Sequence, residues 1–164
     1  MRILGIDPGL NATGYGILEE GDGDFRVVEA GVLRSDGKRS MAERLLEISQ
    51  ELDNIIGQFE PDVVAVEELY SHYGHPKTAI IMGHARGVVF LKAAEIGVPI
   101  YPYSSTRIKK SLTGNGRASK RQMQLMITTS LGLAEVPEPP DVADALAVAL
   151  CHGRSVQSSE AIEV

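Results

Sequence analysis

The chain has 164 residues, a formal net charge of −6, 43% hydrophobic residues and 23% charged residues. This length fits a single domain of about 100–200 residues, and the composition excludes a disordered or fibrous protein. Because Cys151 is the only cysteine, an internal disulfide framework and a cysteine-based zinc cluster are excluded as well. The sequence has no targeting segment and no apolar run of about 18 residues, so we expect a cytoplasmic protein with no membrane partner.

Basic charge is concentrated in one segment of the chain. Residues 69–134 contain nine lysines and arginines against the single acid Glu95, whereas the segments on both sides are acidic. Polyanions bind to a local patch of charge rather than to the average charge of a protein. The segment therefore predicts either a nucleic-acid-binding surface or a solvated basic face.

Strands and one helix are predicted in the first part of the chain. An apolar run at 2–7 predicts a buried strand that ends at a Pro-Gly turn, and segments 13–20 and 25–34 predict a hairpin. Ser40 begins a capping-box pattern, which starts an amphipathic helix that we expect to end near Gly57.

Strands and helices alternate in the rest of the chain. The predicted strands are 63–66 and 98–103, and the predicted helices are 76–97, 104–112, 118–131 and one that begins after Pro140. This order predicts an α/β fold in which a mixed five-stranded sheet has an antiparallel edge and helices on both faces. We expect one domain over residues 1–154, followed by a disordered tail at 155–164.

Acidic residues follow two of the predicted strands and open the last helix. Asp7 ends the first strand, and Glu67 and Glu68 end the strand at 63–66, where open α/β sheets place their ligands. Asp141 and Asp144 are three residues apart, so they share one face of the last helix. If these acids converge, they require a cation, and oxygen ligands alone suit Mg²⁺ or Mn²⁺. Two such ions can hold the attacking and leaving oxygens of a phosphodiester.

Each acid also has a purely structural interpretation. Asp7 could begin a turn, and Asp141 could be the N-cap of its helix. Strand alternation does not choose between Glu67 and Glu68, because both faces of their strand are apolar.

Five motifs resemble those of the RuvC family of Holliday junction resolvases. They are ILGIDPGLNATGYGI at 3–17, VVAVEELY at 63–70, GHARGV at 83–88, the basic segment 106–122 and PDVADALAVAL at 140–150. The resemblance covers nearly the whole chain in the order of the family. It implies a ribonuclease H-like fold, a homodimer, and Mg²⁺-dependent paired nicking of four-way DNA junctions in recombination and repair. It further implies a RuvA–RuvB branch-migration complex as a partner. Together with the carboxylate chemistry above, we expect two Mg²⁺ ions per subunit, with Mn²⁺ as a substitute.

The resemblance also assigns site residues. The catalytic and metal-binding acids of the family fall on Asp7, Glu67, Asp141 and Asp144, which selects Glu67 over Glu68 by resemblance alone. Some relatives have histidine where this chain has Asp141. The aromatic residue associated with stacking at the junction falls on Tyr70.

Basic residues surround a Gly-Asn-Gly turn at 114–116. They are Lys109, Lys110, Arg117, Lys120 and Arg121, of which Lys109 and Lys120 resemble the two functional lysines of the family. Cations beside a flexible glycine backbone suit close approach to DNA phosphates. His72 and His75 in the segment after Tyr70 are interpreted as loop residues near DNA rather than as metal ligands.

The nearly all-apolar helix at 76–97 is the candidate dimer surface, particularly over Ala79–Gly87; a helix fully buried within one subunit is the alternative.

Three other functions compete with junction resolution. A different ribonuclease H-like nuclease would lack TGYG and the basic segment, and an actin-like ATPase or sugar kinase would need two such domains. A DNA-binding subunit without catalysis would not need the full set of acids.

Overall fold

One five-stranded mixed sheet organises the fold. A computed structural model describes residues 1–69 and 76–160. The strands are β1 (Arg2–Asp7), β2 (Ala12–Glu20), β3 (Phe25–Arg34), β4 (Val63–Glu67) and β5 (Ile100–Tyr103). Their order in the sheet is β3-β2-β1-β4-β5. The pairs β3–β2 and β2–β1 are antiparallel, whereas β1–β4 and β4–β5 are parallel. The prediction of a mixed sheet with an antiparallel edge is confirmed.

Helices cover both faces of this sheet, as predicted. They are α1 (Met41–Phe59), α2 (Pro76–Glu95), α3 (Ser105–Thr113), α4 (Lys120–Ser130) and α5 (Pro140–Glu160). On one face, α3, α4 and α5 pack against strand residues such as Ile3 and Ala65. On the other face, α1 and α2 pack against the alternate residues, such as Leu4 and Val64. The continuous apolar run of β4 is therefore explained by a strand that is buried on both sides.

Three glycines let α5 lie directly on the sheet. A Cβ atom at Gly5 would collide with the Ala145 carbonyl oxygen, and one at Gly14 would collide with the Asp141 carbonyl oxygen. At Gly16 the same atom would lie 2.6 Å from the Leu146 Cδ2. Glycine at these positions of β1 and β2 thus sets how closely the helix approaches.

Two helices are longer than the sequence predicts. The capping box between Ser40 and Glu43 is present. Helix α1 continues two residues past Gly57 and ends at Phe59, and Glu60 follows as a left-handed C-cap with φ of 44°. The side chain position of Gly57 is open, so this glycine does not force the helix to end.

The last helix continues through Glu160, so the predicted disordered tail is wrong for residues 155–160. Its serines donate to carbonyl oxygens one turn earlier, as Ser155 Oγ does to Cys151 at 2.8 Å. In addition, Arg154 Nη2 donates to Ser130 Oγ at 3.1 Å, and Gln157 Nε2 donates to Glu20 Oε1 at 3.2 Å. These contacts hold the extra turns against the rest of the fold. Residues 161–164 lie outside the described residues.

None of the helices within residues 1–69 and 76–160 is long and apolar enough to cross a membrane.

Candidate active site

The four predicted acids come from three neighbouring elements at one edge of the sheet. Asp7 is the last residue of β1, and Glu67 is the last residue of β4. Because β1 and β4 are adjacent and parallel, their carboxyl ends meet. The remaining two acids lie in the first turns of α5, which begins at Pro140. Asp141 is therefore inside the first turn of the helix rather than at its N-cap.

The electrostatics of Asp7 show that these acids act on one another. Burial, followed by the charges of Glu67, Asp144 and Asp141, raises the pKa of Asp7 from 3.8 to about 7, and Lys120 partly opposes this shift. Burial and the charge of Asp144 likewise raise the pKa of Glu67. Like charges held near one another in a half-buried place disfavour ionisation. The structure thus brings the predicted acids into one electrostatic unit.

Only one of the two adjacent glutamates belongs to this unit. Glu67 is half-buried and lies on the same face of β4 as Val63 and Ala65, which is the face that α5 covers. Glu68 is exposed, and its backbone N–H donates to the Tyr103 carbonyl oxygen at 2.9 Å. The geometry thus agrees with the choice of Glu67.

A cleft of about 190 Å³ lies beside these acids and contains two of the predicted lysines. Its polar lining consists of Glu67, Ser105, Lys109, Lys120 and Asp144. Lys120 Nζ lies 3.5 Å from Asp144 Oδ2 in an ion pair whose lysine side chain is 62% exposed. Carboxylates and ammonium groups thus line the same cleft.

The three other basic residues predicted to contact DNA do not line this cleft. Lys110, Arg117 and Arg121 are exposed around the turn between α3 and α4, in which Gly114 has a φ of 74°. Tyr70, the predicted stacking residue, lies outside the described residues, as do His72 and His75.

Asp141 lines a second cleft, of about 400 Å³, which is separate from the first. This cleft is lined by the loop at 9–12, the first turns of α1 and the first turns of α2. Each of the two clefts therefore includes at least one of the predicted acids.

The donor set fits a hard divalent cation. Within residues 1–69 and 76–160, no three acidic, histidine or cysteine side chains are close enough, as they stand, to hold one ion. The candidate ligands are nevertheless all carboxylate oxygens, which is the chemistry that Mg²⁺ and Mn²⁺ prefer. A bound cation would also reverse the repulsion that raises the pKa of Asp7. Asp7, Glu67, Asp141 and Asp144 are the residues that would hold it.

Two residues of the site are absent from the sequence-based prediction. Ser105 lines the first cleft, and its hydroxyl lowers the pKa of Glu67 by hydrogen bonding. Arg44 lines the second cleft. A serine that follows an N-cap and an arginine in a capped helix are ordinary in sequence, so no local signal marks either residue.

The order of the sheet, its antiparallel edge and the carboxylates at the ends of β1 and β4 and on α5 define a ribonuclease H-like fold. Proteins of known family support this class and narrow it. The family model described as crossover junction endodeoxyribonuclease RuvC matches residues 3–152. The chain belongs to the RuvC family.

Individual relatives are similar over most of their length. Crossover junction endodeoxyribonuclease RuvC of Rhodopirellula baltica is 51% identical over 149 residues, which are 91% of this chain and 84% of that protein. The protein of the same name from Caldicellulosiruptor saccharolyticus is 48% identical and covers 93% of this chain and 92% of its own. The structure of Thermus thermophilus RuvC in complex with Holliday junction substrate has a TM-score of 0.91 and 34% identity, and covers 97% of this chain and 96% of its own.

Proposed function

We propose that this protein is a Holliday junction resolvase. In this proposal it is a metal-dependent endonuclease that makes paired, symmetric nicks in four-way DNA junctions during recombination and repair. The observation that carries the proposal is the cleft in which Glu67 and Asp144 face Lys109 and Lys120, beside Asp7. Membership of the RuvC family supports the junction as the substrate, since a relative is described in complex with it.

The proposed catalytic and metal-binding residues are Asp7, Glu67, Asp141 and Asp144. We propose two Mg²⁺ ions per subunit, with Mn²⁺ as a substitute. The chemistry supplied by the bound metal is Lewis-acid assistance to hydrolysis of the phosphodiester. Asp7 interacts electrostatically with each of the other three acids, so its proposed role is to supply a carboxylate at the centre of the metal-binding group.

The proposed role of Lys109 and Lys120 is to neutralise the scissile phosphate. Both lysines line the cleft that contains Glu67 and Asp144. Charge that develops on a non-bridging phosphate oxygen is stabilised by a cation already held in place. The ion pair between Lys120 and Asp144 holds the ammonium group at the cleft before DNA arrives.

The exposed cations around the turn between α3 and α4 extend this surface. We propose that Lys110, Arg117 and Arg121 contact DNA phosphates, and that Tyr70 stacks on a base at the junction. Phosphate contacts fix the position of DNA but do not read its sequence. Recognition would therefore depend chiefly on the branched shape of the junction.

A homodimer is proposed from the outer face of α2. Ala85, Val89 and Ala93 are buried against the rest of the subunit, whereas the opposite face of the helix is exposed. Ile80 is 61% exposed and Leu91 is 55% exposed, and they share a stripe along the helix. A RuvA–RuvB complex as a further partner rests on the family resemblance alone.

The test compares a labelled synthetic four-way junction with a matched linear duplex, each with Mg²⁺ and with EDTA. We expect paired symmetric nicks in the junction only, and only with Mg²⁺. Asp7→Asn should slow nicking by at least about 10²-fold, because several kcal/mol of charge stabilisation is lost, and should still bind the junction.

Asp22→Asn is the matched control, because Asp22 is an exposed acid in the turn between β2 and β3. This variant should nick at the normal rate. Cleavage of linear or RNA-containing substrates would move the protein to another ribonuclease H-like family. Loss of junction binding by a folded Asp7→Asn variant would contradict the role given to this acid.

A further inference from the structure

The second cleft contains a cation that the proposed function has not used. The cleft, of about 400 Å³, is lined by the loop at 9–12, Met41, Arg44, Thr78 and Asp141 among others. Asp141 is one of the proposed metal ligands, so the cleft reaches the acids, and its lining shares no residue with the cleft that contains Lys109 and Lys120. Arg44 is the basic residue of its lining.

Hydrogen bonds hold the Arg44 guanidinium in place. Arg44 Nε donates to Ser35 Oγ at 3.0 Å, and Arg44 Nη2 donates to Asn11 Oδ1. Ser35 Oγ in turn donates to the Leu10 carbonyl oxygen at 2.5 Å, which ties this network to the loop after Asp7. Within residues 1–69 and 76–160, Arg44 Nη1 donates no hydrogen bond. This nitrogen is not fully buried, so a ligand can reach it. A donor of a fixed, half-buried guanidinium therefore remains available to a ligand.

The free donors of the cleft suit an anion that has more than one acceptor oxygen, such as the phosphate of a DNA strand. Because the amide oxygen of Asn11 accepts from Arg44, the Asn11 amide nitrogen remains a second donor at the same cleft. Guanidinium groups bind phosphate through paired hydrogen bonds, and a group that is already oriented loses little entropy on binding.

A DNA strand whose scissile phosphate lies at the acids must extend beyond them in both directions. The scissile phosphate itself would meet Lys109 and Lys120 in the first cleft. In the second cleft a neighbouring phosphate would meet the Asp141 carboxylate without a cation if Arg44 did not also line that cleft.

We propose that the second cleft binds the phosphate next to the scissile phosphate in the same strand, and that Arg44 and Asn11 donate hydrogen bonds to it. This inference rests on the proposed function and adds a substrate-positioning residue to it. It gives the neighbouring phosphate a cation of its own, Arg44, in addition to the lysine pair at the scissile phosphate.

The test is single-turnover nicking of junctions in which each phosphate that flanks the scissile one is replaced, singly, by an uncharged methylphosphonate. Arg44→Met should slow nicking of the unmodified junction by about 10- to 100-fold, the usual effect of losing a hydrogen bond to a charged group. With the methylphosphonate at the contacted position, wild type should slow by a similar factor and Arg44→Met should slow little further.

Two variants serve as controls. Arg39 is an exposed arginine just before α1 that forms an ion pair with Glu47. The Arg39→Met variant loses the same charge as Arg44→Met, but away from the cleft, and should nick normally. Ser35→Ala removes the partner of Arg44 Nε but keeps the arginine, and should retain sensitivity to the methylphosphonate. If Arg44→Met slows nicking of the unmodified junction and of every methylphosphonate junction by the same factor, Arg44 acts only by supporting the loop at 9–12. That result would overturn the phosphate contact. A normal rate for Arg44→Met on the unmodified junction overturns it as well.

Junction binding in an Asp7→Asn background tests the contact without relying on cleavage. A plot of log binding constant against log salt concentration has a negative slope. This slope should become shallower by about 0.9 when Arg44→Met removes one phosphate contact. An unchanged slope overturns the inference. Failure of the wild-type protein to nick the junction would overturn the proposed function, and the slope would still decide the contact at Arg44.

Discussion

At Asp7, burial and the charge of three neighbouring carboxylates act in the same direction. Together they raise the pKa of this acid from 3.8 to about 7. In the unfolded chain Asp7 ionises at its ordinary pKa, so between these two pKa values the folded protein binds more protons than the unfolded protein does. Folding stability therefore falls as pH rises through this range, and it is lowest above the folded pKa.

Without divalent metal, the free energy of unfolding of the wild type should decrease from about pH 4 to about pH 8. Asp7→Asn should remove this component, so the variant should become more stable than wild type by up to about 4 kcal/mol at the upper end. Urea unfolding of both proteins in EDTA at several pH values measures the difference, and added Mg²⁺ should reduce it. A difference that does not depend on pH would show that burial and the neighbouring carboxylates do not raise the pKa of Asp7.

The choice between Glu67 and Glu68 shows where sequence analysis of single residues ends. The alternation of β4 places Glu67 on the same face as Val63 and Ala65, but both faces of the strand are apolar. Only the packing of α5 on that face makes it the side of the acids. The resemblance to a family therefore supplied a choice that periodicity could not supply.

At the scale of elements, the approach of α5 to the sheet positions two of the four acids. The TGYG motif provides Gly14, which pairs with Asp7, and Gly16, which pairs with Gly5. Because a side chain at Gly14 would collide with the backbone of Asp141, this glycine sets the distance between β2 and the first turn of α5. The motif is thus explained by packing rather than by chemistry.

Gly14→Ala should push the start of α5 away from Asp7. We expect a loss of stability of about 1–3 kcal/mol from overpacking, together with a fall in nicking rate that is larger than the loss of folded protein explains. Gly57→Ala is the matched control, because the added methyl group has open space in α1 and should stabilise the helix by about 0.5–1 kcal/mol. Thermal unfolding and single-turnover nicking measure the two effects. Normal nicking by Gly14→Ala would contradict the positioning role.

The sequence predicts the type and order of all ten elements, and the errors are at helix ends. Helix α1, which is predicted to end near Gly57, ends two residues later at Phe59, because an exposed glycine costs too little to stop a packed helix. The predicted tail at 155–160 is wrong because its polar composition hides the contact of Gln157 with Glu20, which is distant in sequence. Contacts of this kind cannot be deduced from local pattern.

At the scale of the whole molecule, α2 divides its apolar residues between its own subunit and the outside. The exposed stripe contains Ile80, His84, Gly87 and Leu91, at the spacing of one helix face. Among the described residues, a Cβ atom added at Gly87 would have open space around it, with no atom of another element within 4 Å. A second α2 can therefore approach closely at the middle of the stripe, as a symmetric dimer requires.

Ile80→Asp should weaken the proposed dimer by at least about tenfold, since it places a charge in an apolar contact. Leu125→Asp is the matched control, because Leu125 is 52% exposed on α4 and lies outside the stripe. Sedimentation at micromolar concentration should show a dimer for wild type and Leu125→Asp, and dissociation for Ile80→Asp. A wild-type monomer at that concentration would contradict the dimer.

The acids of the site are contributed by β1, β4 and α5, which are far apart along the chain. During synthesis the nascent polypeptide therefore lacks two of the four carboxylates until the ribosome has added Asp141 and Asp144. A product that terminates before residue 140 contains the basic segment but not the complete set of acids. If the four acids cut DNA as proposed, such a fragment would carry basic charge without a complete catalytic set, and premature termination would not release an uncontrolled nuclease.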